Sequence, residues 1–89
     1  MTHRATISVG TLDASLVHPR EVFAPALDKG ATAIILSHNH PSGDPTPSQD
    51  DLNLTHRLVE AGIIMGVEII DHVIVAEEKW VSLKQTGEL

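Results

Sequence analysis

The sequence predicts an α/β domain, in which strands and helices alternate along one chain. Three observations support this prediction: short apolar runs of strand length, two longer segments with apolar residues at helical spacing, and turn-forming residues between them. The chain has 89 residues, 42% of them hydrophobic. It is therefore expected to form one domain, residues 1–89, that buries roughly 60 to 65% of its unfolded surface. With one Trp, one Phe and no Tyr, the predicted core is aliphatic.

The first part of the chain is predicted to contain a strand, a connector and a helix. Residues 6–9 alternate as a half-buried strand does, Gly10 ends the strand, and residues 12–17 form the connector. Pro19 at the first helical position and Gly30 just beyond the last turn are typical residues for the start and the end of a helix. The apolar stripe predicted to face the core consists of Val22, Phe23, Ala26 and Leu27.

The second part adds a buried strand, a helix and two further strands. Residues 33–36 form an apolar run of strand length, and the proline-rich residues 41–47 do not continue it. We predict a helix over residues 48–62, a strand that is apolar on both faces over 67–76, and a last short strand over 81–83. The residues predicted on the inner side of the second helix are Leu52, Leu58, Val59 and Ile63.

The charge balance and the composition exclude several classes of protein. Twelve acidic residues against six basic ones give a formal net charge of −6, and the basic residues are scattered along the chain. Without a basic patch, direct DNA binding is not expected. The chain has no cysteine, which excludes disulfides and thiolate metal sites. No apolar run approaches the roughly 18 residues of a membrane span. We expect a soluble, cytoplasmic protein without membrane contact.

Three potential metal ligands occur at an informative spacing. His38 and His40 follow the apolar run of the second strand, and because residues i and i+2 of a strand point to the same side, both imidazoles can reach one point. Ser48 has the chemistry of a helix N-cap, which places Asp51 in the first helical turn. Two imidazoles and one carboxylate leave a fourth position for water, as in catalytic zinc sites. The spacing therefore predicts a hydrolase centre with one zinc ion, although these ligands also suit iron or manganese.

The same residues have simpler structural interpretations. An arbitrary His-x-His pair usually just ends a strand, and only the spacing to Asp51 favours ligation here. Ser48 and Asp51 also form the pattern of a capping box, in which one carboxylate oxygen can cap while the other binds metal. Asp50, about 100° around the helix, is predicted to face solvent. Asp71 and His72 lie in a predicted buried strand, either as a polar pair satisfied within the core or with a contact to a ligand histidine.

The string from His38 to Asp51 resembles the JAMM signature of the MPN metalloprotease superfamily. Further segments look like the C-terminal domain of bacterial RadC-like proteins, a pattern that covers the chain from about Ala5 to Glu88. These segments are residues 19–23, 38–44, 47–48 and 71–75. The resemblance implies a cytidine-deaminase-like fold, a three-layer mixed sheet with flanking helices. It also implies one zinc ion bound by His38, His40 and Asp51, with Ser48 as a catalytic residue beside the bound water.

The resemblance also implies parts that have no counterpart in this chain. In active JAMM enzymes a glutamate on an earlier strand takes the proton from the water and passes it to the leaving amine. Here the first acidic residue is Asp13 and the first glutamate is Glu21, which lies in the next helix. We therefore expect a domain that lacks its opening strands and is nearly inactive by itself, because general-base help contributes about 10² to 10⁴-fold. The helix-hairpin-helix region of longer RadC-like members is also missing, so the family's old association with DNA repair is not transferred.

Three functions are compatible with these observations. The first is zinc-dependent hydrolysis of an amide or isopeptide bond in a protein or peptide substrate by the intact protein. The second is a non-catalytic metal-binding or protein-interaction module, which the missing glutamate favours and the complete ligand set opposes. The third is nucleic-acid processing, which the acidic charge opposes. Without opening strands, the strand around Ile7 has an unpaired edge, and we expect it to pair with a second copy of the chain.

Overall fold

The computed structural model describes residues 3–9 and 13–89. Strands and helices alternate along the chain, as the sequence predicts. The elements are β1 (Arg4–Val9), a short 3-10 helix (Ala14–Leu16), α1 (Pro19–Asp28), β2 (Ala33–Asn39), α2 (Gln49–Met65), β3 (Glu68–Ala76) and β4 (Lys79–Ser82). The predicted strand end at Gly10 and the start of the predicted connector, at residue 12, lie outside the described residues.

The four strands form one mixed sheet in the order β1-β2-β3-β4. β1, β2 and β3 run parallel, and β4 pairs antiparallel with β3. A helix connects each pair of parallel strands, and both connections move in the same direction across the sheet. Because such crossovers have the same hand, α1 and α2 lie on the same face of the sheet, where they contact each other. The α/β prediction is confirmed, and the described residues form the sheet and one helical layer of the fold that the resemblance implies.

The first helix, α1, begins at Pro19 and ends before Gly30 as predicted, and most of its predicted stripe is buried. Nδ1 of His18 accepts a hydrogen bond from the backbone N–H of Arg20, which makes His18 the N-cap. The buried residues of α1 are Val22, Phe23 and Ala26. The prediction for Leu27 is wrong, since this side chain is 47% exposed. It lies about 90° around the helix from the middle of the buried stripe, so its side chain turns away from the sheet.

The second helix, α2, begins where predicted but extends further and buries a different face. Its buried residues are Asp51, Leu54, Thr55, Leu58 and Gly62. Leu58 is buried as predicted, and Leu52 and Val59 are half-buried. The prediction for Ile63 is wrong, because it follows Gly62 by about 100° around the helix and is 78% exposed. A Cβ at Gly62 would lie 2.3 Å from the carbonyl oxygen of Val67, so the close approach of helix and chain here requires glycine.

The sheet has an outer strand on each side. Within the described residues β1 pairs with β2 alone, and β4 pairs with β3 alone. β4 begins two residues and ends one residue earlier than the predicted 81–83, because it pairs with β3 across the turn at Glu77 and Glu78. None of the helices in the described part of the chain is long and apolar enough to cross a membrane.

Candidate metal centre

The two candidate histidine ligands lie at the carboxyl end of β2, where the parallel strands β1 and β3 also end. His38 belongs to β2 and is 1% exposed. His40 follows the strand, and its backbone N–H donates to the carbonyl oxygen of Val75 in β3 at 2.8 Å. This bond continues the strand pairing beyond Asn39, so both side chains point to the same side. Their ring centroids are 5.1 Å apart.

One hydrogen bond determines which nitrogen of His40 carries a hydrogen. Nδ1 lies 3.1 Å from the carbonyl oxygen of Asp44, and because a carbonyl oxygen only accepts, Nδ1 is the donor. In a neutral imidazole Nε2 then has a free lone pair. A backbone carbonyl is a common partner of this kind for metal-binding histidines. The loop between β2 and α2 therefore orients His40 as a ligand would be oriented.

Asp51 reaches both histidines from the first turn of α2. Its Oδ1 lies 3.0 Å from Nδ1 of His38, and its Oδ2 lies 3.0 Å from Nε2 of His40. Ser48 completes the capping box: its backbone N–H and its hydroxyl donate to Oδ2 at 2.7 and 2.9 Å, and the N–H of Asp51 donates to Oγ of Ser48 at 3.1 Å. Oδ1 accepts no hydrogen bond within residues 3–9 and 13–89. The capping bonds thus go to one carboxylate oxygen, and the other faces His38.

His38, His40 and Asp51 form a cluster that could bind a metal ion. Burial by itself raises the pKa of Asp51, but the hydrogen bonds from Ser48 and the nearby imidazoles outweigh it, so the pKa is lowered and the carboxylate is ionised. Its Oδ2 and the lone pair of His40 repel each other unless a proton or a metal ion lies between them. The ligand atoms of His38, His40 and Asp51 all lie within 4.8 Å of one another. Tetrahedral zinc separates its nitrogen and oxygen ligands by about 3.3 Å, so small movements of these side chains would allow them to bind one divalent cation.

A cavity of about 430 Å³ opens onto the candidate ligands. Besides His40, Ser48 and Asp51, it is lined by Asp13 and Asp50. Asp50 is exposed, as predicted. Hydrogen bonds from the hydroxyl and the backbone N–H of Ser15 lower the pKa of Asp13. The cavity therefore carries two exposed carboxylates at its mouth in addition to the buried one.

Asp71 and His72, for which two interpretations were open, have different surroundings. Asp71 is half-buried and satisfied by hydrogen bonds from the Ser82 hydroxyl and from the backbone N–H of Lys84. His72 stacks on His38, with ring centroids 5.8 Å apart and planes inclined by 26°. Burial lowers the pKa of His72 to about 4, so the ring is neutral at pH 7.

Thr55 contacts the centre but was not predicted from the sequence. It is 1% exposed, its hydroxyl donates to the carbonyl oxygen of Asp51 at 2.9 Å, and Oγ1 lies 2.7 Å from Nδ1 of His72. The available signal was its position four residues after Asp51, on the same helix face. In the described part of the chain, Nε2 of His72 is buried without a hydrogen-bond partner, which costs about 1–3 kcal/mol.

The chain matches one family of domains over nearly its full length. The model of the RadC-like JAB domain matches residues 1–88. The chain belongs to this family. RadC-like JAB domains have the JAMM/MPN-type fold, and JAB domains are often metal-dependent. The family predicted by resemblance is thereby confirmed.

Two bacterial relatives of this RadC-like JAB domain are similar over almost the whole chain. It is 56% identical over 85 residues to a UPF0758 protein of Geobacillus sp. (strain WCH70), covering 96% of this chain and 38% of the relative. It is 55% identical over 87 residues to a UPF0758 protein of Bacillus cereus (strain G9842), covering 98% of this chain and 39% of the relative. The chain thus spans about two fifths of the length of these relatives.

Proposed function

We propose that this chain is the metal-binding part of a zinc-dependent hydrolase of the JAMM type. In this proposal the intact protein cleaves an amide or isopeptide bond in a protein or peptide substrate. The observation that supports it best is the convergence of His38, His40 and Asp51 beside an open cavity, with ligand atoms within 4.8 Å of one another. Zinc is proposed because two imidazoles and one carboxylate leave a fourth position open.

Neighbouring residues orient the candidate ligands. The carbonyl oxygen of Asp44 keeps Nε2 of His40 free to bind, and Ser48 keeps Asp51 ionised and oriented. A bound zinc ion would polarise the scissile carbonyl and make water a better nucleophile. The predicted catalytic role of Ser48 requires its hydroxyl to turn toward the substrate, because the hydroxyl hydrogen is donated to Asp51.

Hydrolysis also requires a group that accepts a proton from the attacking water. Among the described residues, no glutamate lines the cavity, and the lining carboxylates besides Asp51 are those of Asp13 and Asp50. The low pKa of Asp13 makes it a weak base. We therefore expect the 89-residue chain to hydrolyse peptides at least about 10²-fold more slowly than the intact protein, in line with the usual contribution of a general base.

The lack of a glutamate among the described residues that line the cavity favours a second function, a non-catalytic metal-binding or protein-interaction module. The two functions differ in what the intact protein does once it is loaded with metal. As a hydrolase it releases an amine from isopeptide-linked or peptide substrates, and this release stops when Asp51 is changed to Asn. As an interaction module it releases no product, even at full metal occupancy.

Metal binding is tested first, on the purified chain. After treatment with a chelator, the protein is dialysed against zinc, manganese or ferrous iron, and bound metal is measured by elemental analysis. We expect one zinc ion per chain for the wild type and for His56→Ala, which removes an exposed histidine of α2, and almost none for His40→Ala. Equal zinc content in His40→Ala and the wild type would refute the proposed ligand set.

A further inference from the structure

The candidate ligands come from two elements, and one buried side chain of a third element contacts both of these elements. His72 lies in β3 opposite Leu36 of β2, two residues before the level of His38. Residues two apart in a strand share a face, so the rings of His72 and His38 lie side by side, 5.8 Å apart. His72 thus supports the ligand that the strand provides.

The other contact of His72 leads to the ligand that the helix provides. The hydroxyl of Thr55 has one hydrogen, and the carbonyl oxygen of Asp51 can only accept, so Thr55 donates to Asp51 at 2.9 Å. The lone pairs of Oγ1 then face Nδ1 of His72 at 2.7 Å, and Nδ1 must carry the hydrogen of that bond. A continuous chain of donors therefore runs from His72 through Thr55 to the backbone of Asp51.

Packing by itself does not explain a histidine at this position. The side chain is fully buried, and its Nε2 has no hydrogen-bond partner among the residues that the structure describes. An apolar ring would fill the same space without a buried unsatisfied nitrogen. What distinguishes histidine from such a ring is the Nδ1 hydrogen, and this hydrogen is directed to Thr55.

We propose that His72 and Thr55 are positioning residues of the metal centre. The ring of His72 packs against the ring of His38. Its Nδ1 hydrogen bonds the Thr55 hydroxyl, which in turn holds the first turn of α2 so that Asp51 faces both imidazoles. This inference rests on the proposed function insofar as it requires a metal at these ligands. Changes to groups that orient ligands typically cost 10–100-fold in metal affinity.

The test compares variants that differ in the hydrogen bond but little in shape. Thr55→Val removes the hydroxyl at nearly constant volume, Thr55→Ser retains it, and His72→Phe keeps a ring against His38 while removing Nδ1. Ile69→Val is the control for a small loss of packing, because Ile69 lies in the same strand and lines a different cavity. For each protein, zinc affinity is measured by competition with a chromophoric chelator. The visible spectrum of the cobalt form and urea unfolding of the metal-free form are recorded in parallel.

We expect Thr55→Val and His72→Phe to weaken zinc binding by about 10–100-fold and to change the cobalt bands. Thr55→Ser and Ile69→Val should stay close to the wild type. Because one hydrogen bond is at stake, the double variant Thr55→Val/His72→Phe should bind no more weakly than either single variant.

Two other outcomes would overturn the inference. One is wild-type affinity and an unchanged cobalt spectrum in Thr55→Val or, if that variant does not fold, in His72→Phe. The other is a loss of affinity in Ile69→Val that matches theirs, since this would trace the effect to general destabilisation. Absence of zinc from the wild type would instead refute the proposed function, so the two failures are distinguishable.

Discussion

The double role of Asp51 leads to a prediction in which stability and metal affinity respond to different substitutions. Ser48→Ala removes the acceptor of the Asp51 N–H and the hydroxyl bond to Oδ2, but both carboxylate oxygens remain. Loss of an N-cap costs typically about 1 kcal/mol, and a bond to a charged group contributes about 1.5–3 kcal/mol when it is fully buried. Because Ser48 is exposed, water can hydrogen-bond to the groups that lose a partner, which reduces the free-energy cost of the substitution. We expect a decrease of about 1–2 kcal/mol in the free energy of unfolding. Zinc affinity should fall by about tenfold, at the low end of what ligand-orienting groups contribute, because the backbone N–H of Ser48 still donates to Oδ2.

Asp51→Asn should show the opposite pattern. Its amide oxygen can still accept from the backbone of Ser48, so the metal-free protein stays folded, but the anionic ligand is lost and zinc affinity should fall by more than about 100-fold. Asp50→Asn removes the same charge from the same helical turn and serves as the matched control. Urea unfolding in the presence of a chelator and zinc titration give the two quantities. Should Asp51→Asn bind zinc like Asp50→Asn, or should Ser48→Ala lose as much affinity as Asp51→Asn, the assignment of roles is wrong.

Three further predictions concern pH, packing and association. Burial lowers the pKa of His72 from 6.5 to about 4, so between these values the unfolded chain binds a proton that the folded chain does not. The free energy of unfolding of the metal-free protein should therefore fall by about 3 kcal/mol as the pH drops from 6.5 to 4, whereas His72→Phe should give a flatter urea-unfolding profile; parallel profiles would count against this cause. Gly62→Ala should destabilise the protein by about 1–3 kcal/mol, despite a gain of about 1 kcal/mol in helix propensity, because its Cβ meets the Val67 carbonyl oxygen; Glu60→Ala, exposed on the same helix, should stay close to the wild type in thermal melts. The outer edge of β1 is proposed to pair with a second copy, and a sedimentation coefficient that shows a monomer at all concentrations would contradict this proposal.

Much of the candidate site could be predicted because its geometry is local. The i, i+2 spacing of His38 and His40 determines that both point to one side of a strand. The Ser48 cap and the Asp51 carboxylate depend on the first turn of α2 alone, and the structure contains both halves of their capping box. Interactions of this range depend on a few neighbouring backbone angles, which residue types and spacing largely determine.

The predictions that were wrong concern which face of each helix is buried. Ile63 and Leu27 are apolar and were predicted in the core, yet they are 78% and 47% exposed. Thr55 is polar and lies fully buried, because its hydroxyl has partners on both sides. An apolar side chain can remain at the surface and a polar one can enter the core when it is hydrogen-bonded, so the rotation of each helix depends on the surface that it meets.

The amino-acid sequence by itself determined the alternation of strands and helices, the ends of α1, the cap of α2 and the spacing of His38, His40 and Asp51. Each of these depends on residues close together along the chain. Only the tertiary structure decided that His72 stacks on His38, that Thr55 joins His72 to Asp51 and that Asp13 lies on the same cavity. These contacts join residues far apart in sequence, and the register of β2 with β3 and the packing of α2 on the sheet determine them.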